Sequence, residues 1–359
     1  MTNFSPDPNP LRVLSFGAGA IGTYIGGSLA LHGHTVVFLE RPPVAAELQA
    51  RGLHLTLPSN VQIVNSPMLA GTLVEALSLS PFDVAIFALK SFDTVAVMKD
   101  IRPYATDIPP ILCLQNGVEN EPAIAAVIGE EKVIYGTVTS AIGRNGPGDI
   151  VLEKLRGIGL SGSHPLTERL VQALDTAGLN AHLFHRPADM KWSKMLTNLL
   201  ANATSAILDM TPARIFAHPG LYQLEIAQLR EALSVMRAQG IRAINLPRTP
   251  VRFLAFGVKW LPTKLLRPLI ARQVGGGRGG KMPSFYIDLH SGRGQSEVDY
   301  LNGAVVRFGA RLGIPTPANQ VLNDTLLTIA RREVKPDTYS GKPDALLERF
   351  HHASKQPWT

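Results

Sequence analysis

Lys194, Asn198 and Asn202 recur four residues apart in the stretch 191–207, among the apolar residues Trp192, Met195, Leu196, Leu199 and Leu200. At helical spacing the three fall on one slowly drifting stripe of a largely buried helix. Buried polar groups need partners, and a desolvated ammonium rarely stays without a specific one. Either other protein groups satisfy this stripe or a polar ligand does, and a lysine in register with two carboxamides favours the ligand. A second acid-bearing element follows at Ser296-Glu297-Val298-Asp299. Its spacing is that of a capping box, with Ser296 as N-cap and Asp299 at N3. Glu297 is then expected at N1, where the helix dipole favours negative charge; the alternative is an ordinary first-turn acid.

The third constellation is the loop Gly17-Ala18-Gly19-Ala20-Ile21-Gly22, directly after the apolar run Leu11–Phe16 and before a helix-patterned segment. Strand, glycine turn and helix in that order form the context in which such a loop binds a dinucleotide. Gly17 permits the tight turn, Gly19 lets a pyrophosphate approach the backbone, and Gly22 allows close helix packing. A second strand, Thr35–Leu39, ends at Glu40-Arg41. An acid about twenty positions beyond the glycines is where a ribose contact is expected.

These residues need a scaffold, and the chain order supplies one. Near-continuous apolar runs at 82–89 and 111–114 read as parallel strands buried on both faces. They deliver Lys90 and Gln115-Asn116-Gly117 at their carboxyl ends, where ligands collect in open α/β sheets. The segments 53–57 and 61–64 read as short strands, and 150–152 with 157–160 as an edge hairpin. A helix at 165–177 and a strand at 181–184 follow. The expected fold is α/β: an N-terminal Rossmann-like doubly wound parallel sheet followed by an all-helical C-terminal domain. The expected division is a disordered extension at 1–10, a dinucleotide-binding domain at 11–187, a helical substrate and dimerisation domain at 188–335, and a polar tail at 336–359.

The net charge of +7 suggests nucleic acid until it is located. Eight cations and no acids lie between Arg248 and Lys281, so the basicity is one local insertion, 247–281, and no interleaved aromatic and basic platform accompanies it. The insertion reads as a lid over the cleft or a homodimer contact in preference to a membrane-surface element. No run of about eighteen apolar residues is present to span a bilayer. The single cysteine, Cys113, excludes an intrachain disulfide and fits a reducing, cytoplasmic setting. The histidines lack ligand spacing, so no metal is expected.

The stations Gly17–Gly22, Leu89-Lys90, Gln115-Asn116-Gly117, Trp192-Ser193-Lys194 with Asn198 and Asn202, and Ser296–Gly303 occur in an order that resembles the ketopantoate reductase (2-dehydropantoate 2-reductase) family. The resemblance covers about Leu11 to Leu327. It implies NADPH-dependent reduction of a small 2-oxo acid, with Lys194 as general acid and Glu297 near the substrate hydroxyl and the lysine. It also implies Asn198, Asn202 and Ser284 on the substrate, Arg41 and Lys90 on the 2′-phosphate, and Asn116 beside the nicotinamide. The chemistry is coherent, because a positioned ammonium can stabilise and then protonate the oxygen on which hydride transfer builds charge. Glu40 argues against the phosphate and is expected to point aside. The enlarged basic insertion before Ser284 departs from the family pattern. A non-catalytic NADP(H)-binding sensor is the rival from another class.

Overall fold

The computed structural model describes residues 9–261 and 282–355. The glycine run Gly275–Gly280, most of the basic insertion, and most of the N-terminal extension fall outside the described residues. The chain forms two compact units. The first comprises the chain up to Gln115, Glu119–Met190 and Leu246–Thr249; the second comprises Asn116–Val118, Lys191–Asn245 and the chain from Pro250 onward.

In the first unit the described strands are β1 (Arg12–Phe16), β2 (Thr35–Leu39), β3 (Leu53–Thr56), β4 (Val61–Val64), β5 (Met68–Ala70) and β6 (Val84–Phe87). They continue as β7 (Ile111–Cys113), β8 (Val133–Val138), β9 (Ala141–Gly146), β10 (Asp149–Lys154), β11 (Ile158–Ser161) and β12 (Ala181–Phe184). Eight of them make one sheet in the order β12-β11-β8-β7-β6-β1-β2-β5. Every neighbouring pair is parallel except β8 with β11. Successive side chains of a strand point to opposite faces. Both faces are covered here: Val13, Ile86 and Leu112 pack with Tyr24, Ile25 and Leu29 of the helix Ala20–Leu31, and Leu14, Phe87 and Cys113 pack with Met98, Ile101 and Ile124 on the other side. That double burial is why these strands read as continuous apolar runs. The strand order reverses direction at β1, between β6 and β2, which sets the topological switch point in front of the glycine loop.

The expected hairpin of 150–152 with 157–160 does not form. β10 pairs antiparallel with β9 and parallel with β3 in a separate four-stranded sheet, β4-β3-β10-β9. β11 instead joins the main sheet beside β8. The real turn is Pro147-Gly148, with Gly148 at φ +64°, and it closes a hairpin whose first strand is too polar to stand out. A helix, Pro42–Arg51, was likewise hidden between Arg41 and β3, because Leu48 is its one buried residue.

The second unit is helical. Described elements include the later part of Pro187–Leu199, then Asn202–Leu208, Pro219–Ala238, Val251–Trp260, Ser284–His290, Val298–Arg311 and Pro317–Ala330. Their apolar faces bury Leu196, Leu199, Leu224, Leu229, Leu301 and Leu322, and Trp192 meets Phe308 edge-on at 5.3 Å between ring centroids. The expectation of a polar tail beyond residue 335 is corrected by the helix Pro343–Ala353. Leu346 and Leu347 of that helix are buried, and it packs on Pro219–Ala238 and Pro317–Ala330. Two adjacent leucines in a charged stretch suffice to dock a short helix, and their pattern is too brief to show periodicity.

Candidate active site

The glycine loop has the geometry that its spacing implies. Gly17 adopts φ +91°, a region that a side-chain-bearing residue seldom tolerates, and its N–H donates to Leu39 O at 3.0 Å. A Cβ on Gly22 would collide with the carbonyl oxygen of Gly17. A Cβ on Gly19 would meet nothing within 4 Å, so the space in front of the loop is open. Gly19 is the N-cap of Ala20–Leu31 and offers no side-chain cap. The first-turn amides of that helix are therefore left for an external acceptor, and a helix N-terminus is suited to phosphate. Ala18 is fully buried, while Ala20 and Ile21 are half-buried. An open cradle, an uncapped helix N-terminus and close strand–helix packing together fit a dinucleotide.

Around this loop the parallel sheet gathers the other first-unit residues. Arg41 follows β2, is exposed, and is the N-cap of Pro42–Arg51. Lys90 follows β6 and is half-buried. β6, β1 and β2 are adjacent and parallel, so Lys90, the loop and Arg41 share one end of the sheet. Gln115 holds the Lys90 end in place: its Nε2 donates to Leu89 O at 3.0 Å, Lys90 O at 3.2 Å and Thr94 Oγ1 at 2.9 Å. That clamp has no sequence signature beyond a glutamine after a strand. Glu40 does not point aside. Its Oε1 accepts from Ala18 N–H at 2.6 Å and its Oε2 accepts from Arg41 N–H at 3.2 Å.

In the second unit the expectation of one continuous helix through Lys194, Asn198 and Asn202 needs correction. The helix ends at Leu199, Ala201 takes a left-handed conformation at φ +50°, and Asn202 opens a new helix. The break does not separate the asparagines. Asn202 Nδ2 donates to Asn198 O at 3.1 Å and to Ser284 Oγ at 3.2 Å, and Asn202 Oδ1 accepts from Phe285 N–H at 3.0 Å. Asn198 Nδ2 in turn donates to Asn116 Oδ1 at 2.9 Å. Asn116, Asn198, Asn202 and Ser284 thus form one hydrogen-bonded run, drawn from three separate stretches of the sequence. Lys194 is half-buried one turn before Asn198. Glu297 is 3% exposed and is the N-cap of Val298–Arg311, one position earlier than expected. The capping box is absent: Ser296 Oγ accepts from Val298 N–H at 3.2 Å, and Asp299 pairs with Arg307 at 2.9 Å.

The break at Ala201 rests on residues that the sequence did not single out. Glu225, fully buried in Pro219–Ala238, accepts from Ala201 N–H, Thr204 Oγ1 and Gln228 Nε2, each at 2.7 Å. Gln228 Oε1 accepts from Asn302, whose Nδ2 also donates to Asn319 Oδ1. Asn319 and Ala318 donate from their backbone amides to Glu231. Burial pushes the carboxyls of Glu225 and Glu231 up to about 7, against the lowering effect of these donors. Among the described residues no cluster of three or more His, Cys, Asp or Glu could hold a metal, and no helix is long and apolar enough to cross a membrane.

A doubly wound sheet with an open glycine cradle at its switch point defines a dinucleotide-binding protein of the Rossmann class. Residues 13–161 match the family described as Ketopantoate reductase PanE/ApbA, and residues 188–330 match Ketopantoate reductase PanE/ApbA C terminal. The chain belongs to the ketopantoate reductase family, and it is an oxidoreductase acting between a ketone and CH–OH with a nicotinamide cofactor. It is 25% identical over 315 residues to the 2-dehydropantoate 2-reductase of Lactococcus lactis subsp. lactis, covering 86% of this chain and 94% of that one. A crystal structure of a PanE/ApbA family ketopantoate reductase from Ralstonia eutropha superposes with a TM-score of 0.75 at 26% identity, covering 90% and 99% of the two chains. D-mandelate dehydrogenase with NADH and anilino(oxo)acetate shares the fold at a TM-score of 0.70 and 21% identity, covering 90% and 99%.

Proposed function

We propose that this protein reduces 2-dehydropantoate to pantoate with NADPH, the reaction for which its curated relatives are named, and so serves pantothenate biosynthesis. The observation that carries this reading is the hydrogen-bonded run from Asn116 through Asn198 and Asn202 to Ser284. It links a residue expected beside the nicotinamide to residues expected on the keto acid. The uncapped amides of the glycine loop would hold the pyrophosphate of NADPH, and Arg41 and Lys90 its 2′-phosphate; when bound, the cofactor would supply the hydride for the keto carbon. Lys194 stabilises the charge that develops on the keto oxygen and then donates a proton to it from Nζ. Glu297 accepts from the resulting hydroxyl and steadies the ammonium. Asn198 and Ser284 bind the substrate. Asn202 has both ends of its amide engaged by Phe285 N–H, Ser284 Oγ and Asn198 O, so it contributes by holding Ser284.

A second reading, reduction of a different 2-oxo acid, is favoured by the enlarged basic segment that precedes Ser284. A cofactor sensor without catalysis would need none of Lys194, Asn198 or Glu297. The lone thiol, Cys113, buried in the sheet, suits a cytoplasmic setting. The test is NADPH oxidation across a panel of 2-oxo acids that includes 2-dehydropantoate. The highest kcat/KM for 2-dehydropantoate supports the first reading, and a clear preference for another acid supports the second. No oxidation with any acid leaves the sensor.

A further inference from the structure

Glu40 lies where the proposed 2′-phosphate contact is least compatible with a carboxylate. It follows β2, and its Oε1 accepts from Ala18 N–H at 2.6 Å inside the glycine loop. A Cβ placed on Gly17 would lie 3.6 Å from that oxygen and 3.5 Å from Leu89 Cδ2. The carboxylate therefore sits over the first glycine, toward the end of β6, and is fixed there from both sides by Ala18 N–H and Arg41 N–H. At this station of a dinucleotide fold the adenosine ribose is read. A carboxylate only accepts hydrogen bonds, so it suits a donating ribose hydroxyl and repels a phosphate on the same carbon. The next residue, Arg41, is an exposed guanidinium, which suits that phosphate.

We propose that Glu40 and Arg41 together give this chain dual cofactor specificity. Glu40 accepts from the ribose 2′-hydroxyl of NADH, Arg41 pairs with the 2′-phosphate of NADPH, and Glu40 holds down the margin by which NADPH is preferred. Selectivity here is a difference of two affinities, with one repulsive element limiting one of them. The inference deepens the proposed function and rests on its cofactor assignment.

The experiment measures dissociation constants of NADH and NADPH by fluorescence titration for wild type, Glu40→Gln and Arg41→Ala. Glutamine keeps an oxygen for Ala18 N–H and removes the charge, so the loop is retained. The wild-type constants should lie within about tenfold of each other, and Glu40→Gln should shift their ratio toward NADPH by about tenfold. Arg41→Ala should shift it toward NADH. A ratio unchanged in Glu40→Gln, or equal weakening of both cofactors, overturns the inference and makes Glu40 a brace for the loop. Should Glu40→Gln not fold, competition between ADP-ribose and 2′-phospho-ADP-ribose on the wild type decides. Preference for the phosphate form beyond about a hundredfold overturns dual specificity, and comparable binding supports it. These are binding readouts. Failure of 2-oxo acid turnover with the ratios as expected refutes the proposed reaction and leaves the role of Glu40 intact.

Discussion

Glu225→Ala tests whether a fully buried carboxyl supports the proposed substrate-binding residues by holding the helix break at Ala201. Its removal takes the acceptor from Ala201 N–H, Thr204 Oγ1 and Gln228 Nε2, all on buried residues. Gln228 keeps a second acceptor in Leu199 O at 3.2 Å, and a threonine hydroxyl can rotate. The Ala201 amide has no such recourse inside a left-handed turn. Each stranded buried donor costs about 1–3 kcal/mol, so a net loss of about 2–4 kcal/mol in unfolding free energy is expected near pH 6. The sign of the pH dependence follows from burial raising this carboxyl from 4.5 to about 7. The folded protein keeps the proton over a range where the unfolded chain has released it. That contribution is fully present below about 4.5 and is lost as pH rises through about 7. The cost of Glu225→Ala should therefore shrink by about 1 kcal/mol between pH 6 and pH 8. Urea denaturation at both pH values measures this, and steady-state kinetics on the same variant should show kcat/KM lowered about tenfold to a hundredfold through a displaced Asn202. A variant within about 0.5 kcal/mol of wild type at both pH values, with unchanged kcat/KM, would refute the reasoning.

Lys194→Ala should lower kcat by about 10² to 10⁴ while the dissociation constant of NADPH, from fluorescence titration, stays within about twofold of wild type. Gly22→Ala should abolish dinucleotide binding or destabilise the first unit, because its Cβ would collide with Gly17 O; calorimetric titration with NADPH checks it. Glu231, also raised to about 7 by burial, adds a loss of stability in the same direction as pH climbs from about 4.5 to above 7. Replacing it with alanine should flatten the pH dependence of the melting temperature in that window.

The sequence was most informative where one physical cause writes a long pattern. Double burial of β1, β6 and β7 writes continuous apolar runs, and the φ of Gly17 with the tight approach at Gly22 writes the glycine spacing, so the cradle and its switch point were legible. Helical spacing marked Asn198 and Asn202, but their joining to Asn116 and Ser284 was legible only through family order, because contacts at a separation of 82 residues leave no local mark. The break at Ala201 was not legible at all: alanine is a strong helix former, and the amide of the left-handed turn bonds to Glu225, 24 residues away. Glu40 was seen, but its direction was misjudged. A carboxylate at a strand end carries no local mark of which way it turns, and the 2.6 Å contact with Ala18 N–H is a tertiary choice.

The central claim is that hydride from the nicotinamide reaches the keto carbon of a 2-oxo acid while Lys194 supplies the proton. The most direct test is incubation of the enzyme with 2-dehydropantoate and NADPH deuterated at the transferable C4 position, followed by mass spectrometry of the product. The account predicts pantoate carrying one deuterium at C2 in stoichiometric amount with wild type and only trace product with Lys194→Ala. Product without deuterium, or equal amounts of labelled pantoate from both proteins, would contradict it.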